Sequence, residues 1–400
     1  MPMQSSGIES IERIKYRLVS LSAVGYTYLL EKFNTYPHLC VVGMRATDRA
    51  RGIRNYVENW AEVSEGEEVI VVADSYADED VVGEVAAQAR AQGANVVETW
   101  IDFNPIQAQG GGPIIDEALK SADKMLRVTF ATSHDRGTQK AVMEHGLEMY
   151  SVANPNDPEF FAQEAAEYPV ELVLEIEKKA LEIARSGSEI HVTCEKGTDV
   201  TATYNPEDWG GDFGTVPADE KRPGTYPATF PGAIAGVLPP KETNGVVYYD
   251  AFSGVGVGDE PIKLTFEDNY CTNIEGGSTA NELSEIVEGI PNVGFCEEFM
   301  FGLHPKVRDA PLDQKPIPNE AERRYGNIHI AIGNMRTFSM YPFEETGGTE
   351  LHLDGFVLDP TIEIDGEPVV EDGKLTFLDA PEIREVAAEH GDPNKLLSQK

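Results

Sequence analysis

The sequence predicts an α/β N-terminal domain, doubly wound about a parallel sheet, followed by a β-rich α+β C-terminal domain. Three observations carry this expectation. The chain has 400 residues, enough for two buried cores. Short continuous apolar runs alternate with segments of helical periodicity up to about residue 185. Beyond that point the pattern changes to period two, broken by turns rich in Gly and Pro. The expected domains are therefore residues 1–185, with an N-terminal helical extension, and residues 186–400.

Residues 8–33 have the spacing of one or two amphipathic helices. Residues 68–73, EVIVVA, form a short apolar run, as in a strand buried on both faces. A polar turn, SYADED, leads into a helix over VVGEVAAQARAQ that Gly93 stops. A second strand is expected over 95–101, then a helix over IIDEALKSA and a third strand over 126–131. Strands alternating with helices imply right-handed crossovers and a parallel sheet. The Gly110-Gly111-Gly112 triplet lacks both the GK[ST] ending and the GxGxxG spacing of phosphate loops, so it is a plain connecting loop. A long helix over 158–186 closes this half.

From residue 189 onward, IHVTCEKGTDVTATY predicts a hairpin turning at Lys196-Gly197. Tracts dense in Gly and Pro follow at 208–211 and 235–240. Short strands are expected at 246–249, 262–266 and 270–274, then a helix over 279–288.

Charge excludes several functions. There are 69 acidic residues against 32 Lys and Arg, a formal net charge of −37. Binding nucleic acid requires a cationic footprint that displaces counterions from phosphates, and an anionic membrane would repel this surface. The acidity is that of a strongly solvated surface, with a high-salt environment as one source of it. The four cysteines, Cys40, Cys194, Cys271 and Cys296, form no CxxC pair, which excludes a zinc ribbon or thioredoxin motif and fits a reducing compartment. The first 20 residues carry no secretory pattern, and no apolar run reaches about 18 residues. A cytoplasmic protein with a small-molecule substrate is expected.

Of the eight histidines, His38, His134, His145, His191 and His390 have no nearby pattern of carboxylate or cysteine partners and are expected to be structural. The chemistry gathers around the other three. On a strand, His352 and Asp354 of His352-Leu353-Asp354 point to one face while Leu351 and Leu353 face the core. An imidazole and a carboxylate so placed suit a divalent cation, and suit equally a His–Asp hydrogen bond on a solvated strand. Residues 327–333 alternate fully: Ile328, Ile330 and Ile332 face one way, Asn327, His329 and Ala331 the other. Gly347-Gly348 gives a turn whose return brings His329 near His352. Glu298 lies in the apolar run 292–305, where a carboxylate is costly unless it is paired, with Arg323 or Arg324 for example, or binds metal. His304 ends that run.

These three elements together resemble the aminopeptidase T family of metallopeptidases and its offshoot, the 2,5-dihydroxypyridine 5,6-dioxygenases, over residues 230–365. The family pattern is a Glu before a Gly-x-(Asn/His)-Pro ending, then G-x-x-H-I-A-x-G, then H-x-D. Here it is carried by Glu298 to Pro305, Gly326 to Gly333 with His329 inside, and His352 to Asp354. The resemblance implies that Glu298, His329, His352 and Asp354 are metal ligands, which makes the C-terminal domain the metal-binding one, and it implies a homo-oligomer. Two positions depart from the peptidases: Ile234 stands where they have a further metal-binding Glu, and Arg336 where they have a Tyr. Both losses count against a two-metal site. The dioxygenases also lack that Glu and hold a single Fe(II) with two His and one carboxylate, but have a His in place of Glu298 and lack the equivalent of His329.

The function expected is therefore that of a mononuclear metal-dependent enzyme. Its leading form is a non-haem Fe(II) dioxygenase that opens a hydroxylated N-heteroaromatic ring, with Arg336 and His304 as catalytic residues that stabilise anionic oxygens or shuttle protons. The alternative is a hydrolase, an aminopeptidase or a relative that cleaves amides or rings, using water activated by Zn, Co or Mn. A non-catalytic binding protein with a vestigial site is the third class.

Overall fold

The computed structural model describes residues 45–102, 112–129, 136–154, 157–211, 230–308, 312–313, 317–318, 320–333, 348–349 and 351–399. Ala46–Lys400 forms one compact unit. The helices expected over 8–33, Cys40 and the Gly110 loop lie outside the described residues.

A four-stranded parallel sheet has the order β2-β1-β3-β4, with β1 at Glu68–Asp74, β2 at Asn95–Ile101, β3 at Lys124–Val128 and β4 at Glu148–Ser151. Every neighbouring pair runs parallel. On one face Val69, Val71, Leu126 and Val128 pack against Val82 and Val85 of α2 (Glu79–Ala91) and against Ile53 of α1 (Ala46–Arg54). On the other, Ile70, Val72, Met125 and Met149 meet Leu119 of α3 (Pro113–Leu119) and Ala141 of α4 (Arg136–His145). Helices on both faces make this the doubly wound arrangement expected, and β1 is buried on both sides. The third strand starts two residues before its expected beginning, at Lys124. Neither β4 nor α4 was anticipated.

The helix expected from residue 158 begins instead at Val170 as α5 (Val170–Ser186). Pro169 is the physical reason: its ring disfavours helical geometry in the residue before it, so Tyr168 cannot continue an upstream helix. A short 3-10 turn, Phe160–Ala162, precedes it. The apolar face of α5 (Leu172, Val173, Ile176, Ala180 and Ala184) packs into the core of the second sheet.

That second sheet is largely antiparallel and runs β17-β16-β15-β5-β6-β9-β14-β13-β12-β8-β7, with β10 and β11 extending from β9. The expected hairpin is β5 (Glu189–Thr193) and β6 (Asp199–Thr203), turning at Gly197 with φ +108. The strands β9 (Thr243–Phe252) and β10 (Gly256–Glu267) are longer than the apolar cores that betray them, and β11 is Tyr270–Glu275. The helix expected at 279–288 is α6 (Ser278–Gly289). Toward one end of this order four neighbours lie side by side: β14 (Leu353–Val357), β13 (Ile328–Ile332), β12 (Cys296–Gly302) and β8 (Ala233–Val237). The strands β7 (Trp209–Gly211), β15 (Thr361–Ile364), β16 (Glu367–Glu371) and β17 (Lys374–Leu375) complete the sheet.

These four strands fix which face can do chemistry. Ile328, Ile330, Ile332, Phe299, Phe301, Ile234 and Val357 all belong to the core that α5 covers. Each fully buried aliphatic or Phe side chain contributes roughly 1.5–3 kcal/mol. A one-residue slip of β13 would turn three isoleucines out of that core, so its register is strongly specified. The opposite face of the same strands is left to His329, Ala331 and their neighbours. No helix among the described residues is long and apolar enough to cross a membrane.

Candidate metal centre

Strand pairing lines up the expected residues. Ala331 of β13 is opposite Glu298 of β12 on one side and Asp354 of β14 on the other. The three form one row across three strands, with the smallest side chain in the middle, so the space between the two carboxylates is not filled from below. His329 is two residues along on the same face, diagonal to Asp354 and opposite Phe356, whose ring it meets edge-on at 6.0 Å. The antiparallel pairing of β13 with β14 is the return that the Gly347-Gly348 turn predicted, although residues 334–347 lie outside the described residues.

His352 immediately precedes β14 and is the hub of the cluster. Its Nε2 is 3.0 Å from Oδ1 of Asp354 and 3.4 Å from Oε2 of Glu298. The i, i+2 geometry expected of His352 and Asp354 is thus realised. Nδ1 faces the other way, 3.2 Å from Oε2 of Glu297 and 3.3 Å from the carbonyl oxygen of Gly333. Burial by itself would lower the pKa of His352; Asp354 first, then Glu297 and Glu298, outweigh it and hold the imidazole well above its usual range. In the metal-free protein this favours an imidazolium shared by three carboxylates. Arg323 and Arg324, the partners considered for Glu298, pair elsewhere: Arg323 with Glu322 and the carbonyl of Phe230, Arg324 with Asn327 and Asp359.

Glu297 was missed, and the reason is a β-bulge. The register shifts between Cys296, opposite Ile332, and Glu298, opposite Ala331. In an unbroken strand Glu297 would share the core face of Phe299 and Phe301. The extra residue takes it off that face and toward His352. Period-two reading places adjacent residues on opposite faces, so two neighbouring acids aimed at one imidazole carry no signal in it.

His329 is the other singular feature. It is 4% exposed, and neither ring nitrogen has a hydrogen-bond partner among the described residues. Its Nε2 is 4.0 Å from Oδ1 of Asp354. A buried polar group without a partner costs roughly 1–3 kcal/mol. Three buried or half-buried carboxylates facing one imidazolium also leave an excess of negative charge, so both features fit a divalent cation. Among the described residues, no three His, Cys, Asp or Glu side chains are disposed as a group that could hold a metal ion as they stand. The carboxylates hydrogen-bond to His352 instead. The donor set fits a cation in chemistry, and loading one requires Asp354 and Glu298 to turn off His352.

Three further expectations fall differently. Ile234 is fully buried and faces the core opposite the site; Ala233 and Ala235 take the site face of β8 beside Met300, so β8 contributes no carboxylate there. Arg336 lies outside the described residues. The structure does not bring His304, expected as catalytic, to this cluster: it lies six residues beyond Glu298, roughly 20 Å along an extended strand. There it is 1% exposed, stacked on Phe230 at 5.6 Å and packed on Tyr168 at 4.9 Å, and its Nδ1 accepts from the Lys306 amide at 3.2 Å. It is packed there as a core histidine.

Burial pushes the His304 pKa down to about 3. In the unfolded chain it titrates near 6.5. Between those values the unfolded state binds a proton that the folded state refuses. This contribution to stability is therefore complete above pH 6.5 and lost progressively on acidification toward about 3, at roughly 1.4 kcal/mol per pH unit. Urea unfolding of His304→Asn from pH 7 down to about 4 should show a shallower acid-side loss than wild type, by about one proton. Equal slopes would mean that His304 is not held neutral.

A family model described as 2,5-dihydroxypyridine 5,6-dioxygenase matches residues 55–377. Among solved structures, the 2,5-dihydroxypyridine dioxygenase of Pseudomonas putida KT2440 is similar with a TM-score of 0.67 and 18% identity, covering 86% of this chain and 100% of that one. Wild-type AmpT from Thermus thermophilus is similar with a TM-score of 0.61 and 15% identity, covering 82% and 99%. At these identities the structural likeness is one of fold. No curated protein matches the sequence significantly.

Proposed function

The chain belongs to the 2,5-dihydroxypyridine 5,6-dioxygenase family, and on that premise we propose that it is a mononuclear metal-dependent enzyme, an Fe(II) dioxygenase that opens a hydroxylated N-heteroaromatic ring. The observation that carries this reading is the gathering of two imidazoles and a carboxylate on one sheet face, with the buried His329 unsatisfied among the described residues. Two His and one carboxylate are the donor set of non-haem Fe(II) oxygenases.

His329, His352 and Asp354 would hold the ion, with Glu298 beside them. Bound there, Fe(II) supplies a Lewis-acidic point for adjacent ring oxygens and redox chemistry with dioxygen. The protein's own contribution is placement. Ala331 keeps the middle of the row open, Phe356 limits rotation of His329, and the isoleucine face anchors β13 from behind. Arg336 is proposed to neutralise an anionic ring oxygen. A cytoplasmic homo-oligomer is part of the same reading, supported by the few cysteines and by the family resemblance. Glu298, which stands where the peptidase pattern has a Glu, supports a second reading, hydrolysis by metal-activated water.

The two readings separate in one assay. Protein purified anaerobically and loaded with Fe(II) is expected to consume oxygen with 2,5-dihydroxypyridine or a close analogue, and to release no arylamine from a leucyl arylamide after loading with Zn(II) or Co(II). Metal-dependent hydrolysis without oxygen uptake would overturn the dioxygenase reading.

A further inference from the structure

We propose that Glu297 is a positioning residue for His352, an outer carboxylate that fixes which ring nitrogen faces the metal. The inference rests on the metal-centre reading above. Its observation is the bulge in β12, which takes Glu297 from the core face and brings its Oε2 to 3.2 Å from Nδ1 of His352. The second neighbour of Nδ1 is the carbonyl oxygen of Gly333 at 3.3 Å. Both groups only accept hydrogen bonds, so Nδ1 keeps its hydrogen when Nε2 meets a cation. Nε2 faces Asp354 and Glu298, on the side where His329 also sits, and is the nitrogen that would give up its hydrogen to a cation held there.

The two acids of the bulge thus divide the work. Glu298 faces Nε2 and belongs with the ligands; Glu297 faces Nδ1 and acts through the ring. Burial separates them further: Glu297 is 3% exposed, whereas the side chain of Glu298 retains 20%. A carboxylate accepting the second N–H of a ligating imidazole sets its tautomer and orientation and raises its basicity, and removing such a partner weakens metal binding by about 10–100-fold.

The test uses Zn(II) alone as probe, titrated against a chelator into the full chain, with unfolding midpoints measured in parallel. Glu297→Gln retains an acceptor but no charge, and is expected to bind Zn(II) about tenfold more weakly; Glu297→Ala is expected nearer 100-fold. Co(II) absorption bands should shift in both variants, which a merely structural role of Glu297 would not produce. Zn(II) affinity within about twofold of wild type in the Gln variant would overturn the assignment, and that variant is isosteric should the Ala variant fail to fold. Asp354→Ala separates the two levels of the argument. If it loses Zn(II) while both Glu297 variants bind normally, only the role of Glu297 fails; if it also binds normally, the metal centre itself is misplaced.

Discussion

Replacing His352 with alanine is expected to abolish metal binding and activity and to destabilise the metal-free fold by about 3–5 kcal/mol. The first effect follows from the loss of a proposed ligand. The second follows from charge. In the metal-free protein His352 is the cation that Glu297, Glu298 and Asp354 share at 3.0–3.4 Å. Removing one partner of a buried ion pair leaves the other charged and desolvated, and here three carboxylates would face one another. Equilibrium urea unfolding with a chelator present, together with metal analysis, measures both consequences. A variant as stable as wild type would mean that the carboxylates do not depend on the imidazolium, and the charge argument for a cation would lapse with it.

The second large effect concerns a residue that binds nothing. Gly333 follows β13 with φ +96, and a Cβ placed there would lie 2.2 Å from the carbonyl oxygen of Leu351 and 3.4 Å from Cα of His352. Gly333→Ala is expected to cost about 1–3 kcal/mol in backbone strain alone. The clash is with backbone, so relief must come from moving the segment that carries His352, whose Nδ1 meets the Gly333 carbonyl. Metal affinity should fall along with stability. Gly366→Ala is the control: its φ is +82, but a Cβ there meets nothing within 4 Å. It should show the strain and leave Zn(II) affinity unchanged. Equal effects of the two variants on metal binding would contradict the proposed coupling of Gly333 to His352.

Much of this was legible in the sequence because the relevant signals were periodic. The run at 68–73 and the full alternation at 327–333 each reported a strand and its buried faces, and His352 with Asp354 followed from the two-residue repeat. What stayed hidden broke the period or lacked apolar content. Glu297 depends on a bulge, which local pattern cannot show. The four residues of β4, Glu-Met-Tyr-Ser, are too short and too polar at their ends to register as a strand. The surroundings of His304 were hidden in another way: nearness to Glu298 in sequence is distance along an extended strand, and it joins an aromatic cluster with Phe230 and Tyr168 that only the tertiary fold assembles.

The most direct test of the metal centre is the iron content of the chain after anaerobic reconstitution with Fe(II) and removal of unbound metal. The arrangement of His329, His352 and Asp354 predicts one retained ion per chain in the wild type and none in Asp354→Ala or His329→Ala. Failure of the wild type to retain iron, or full retention by both variants, would contradict it.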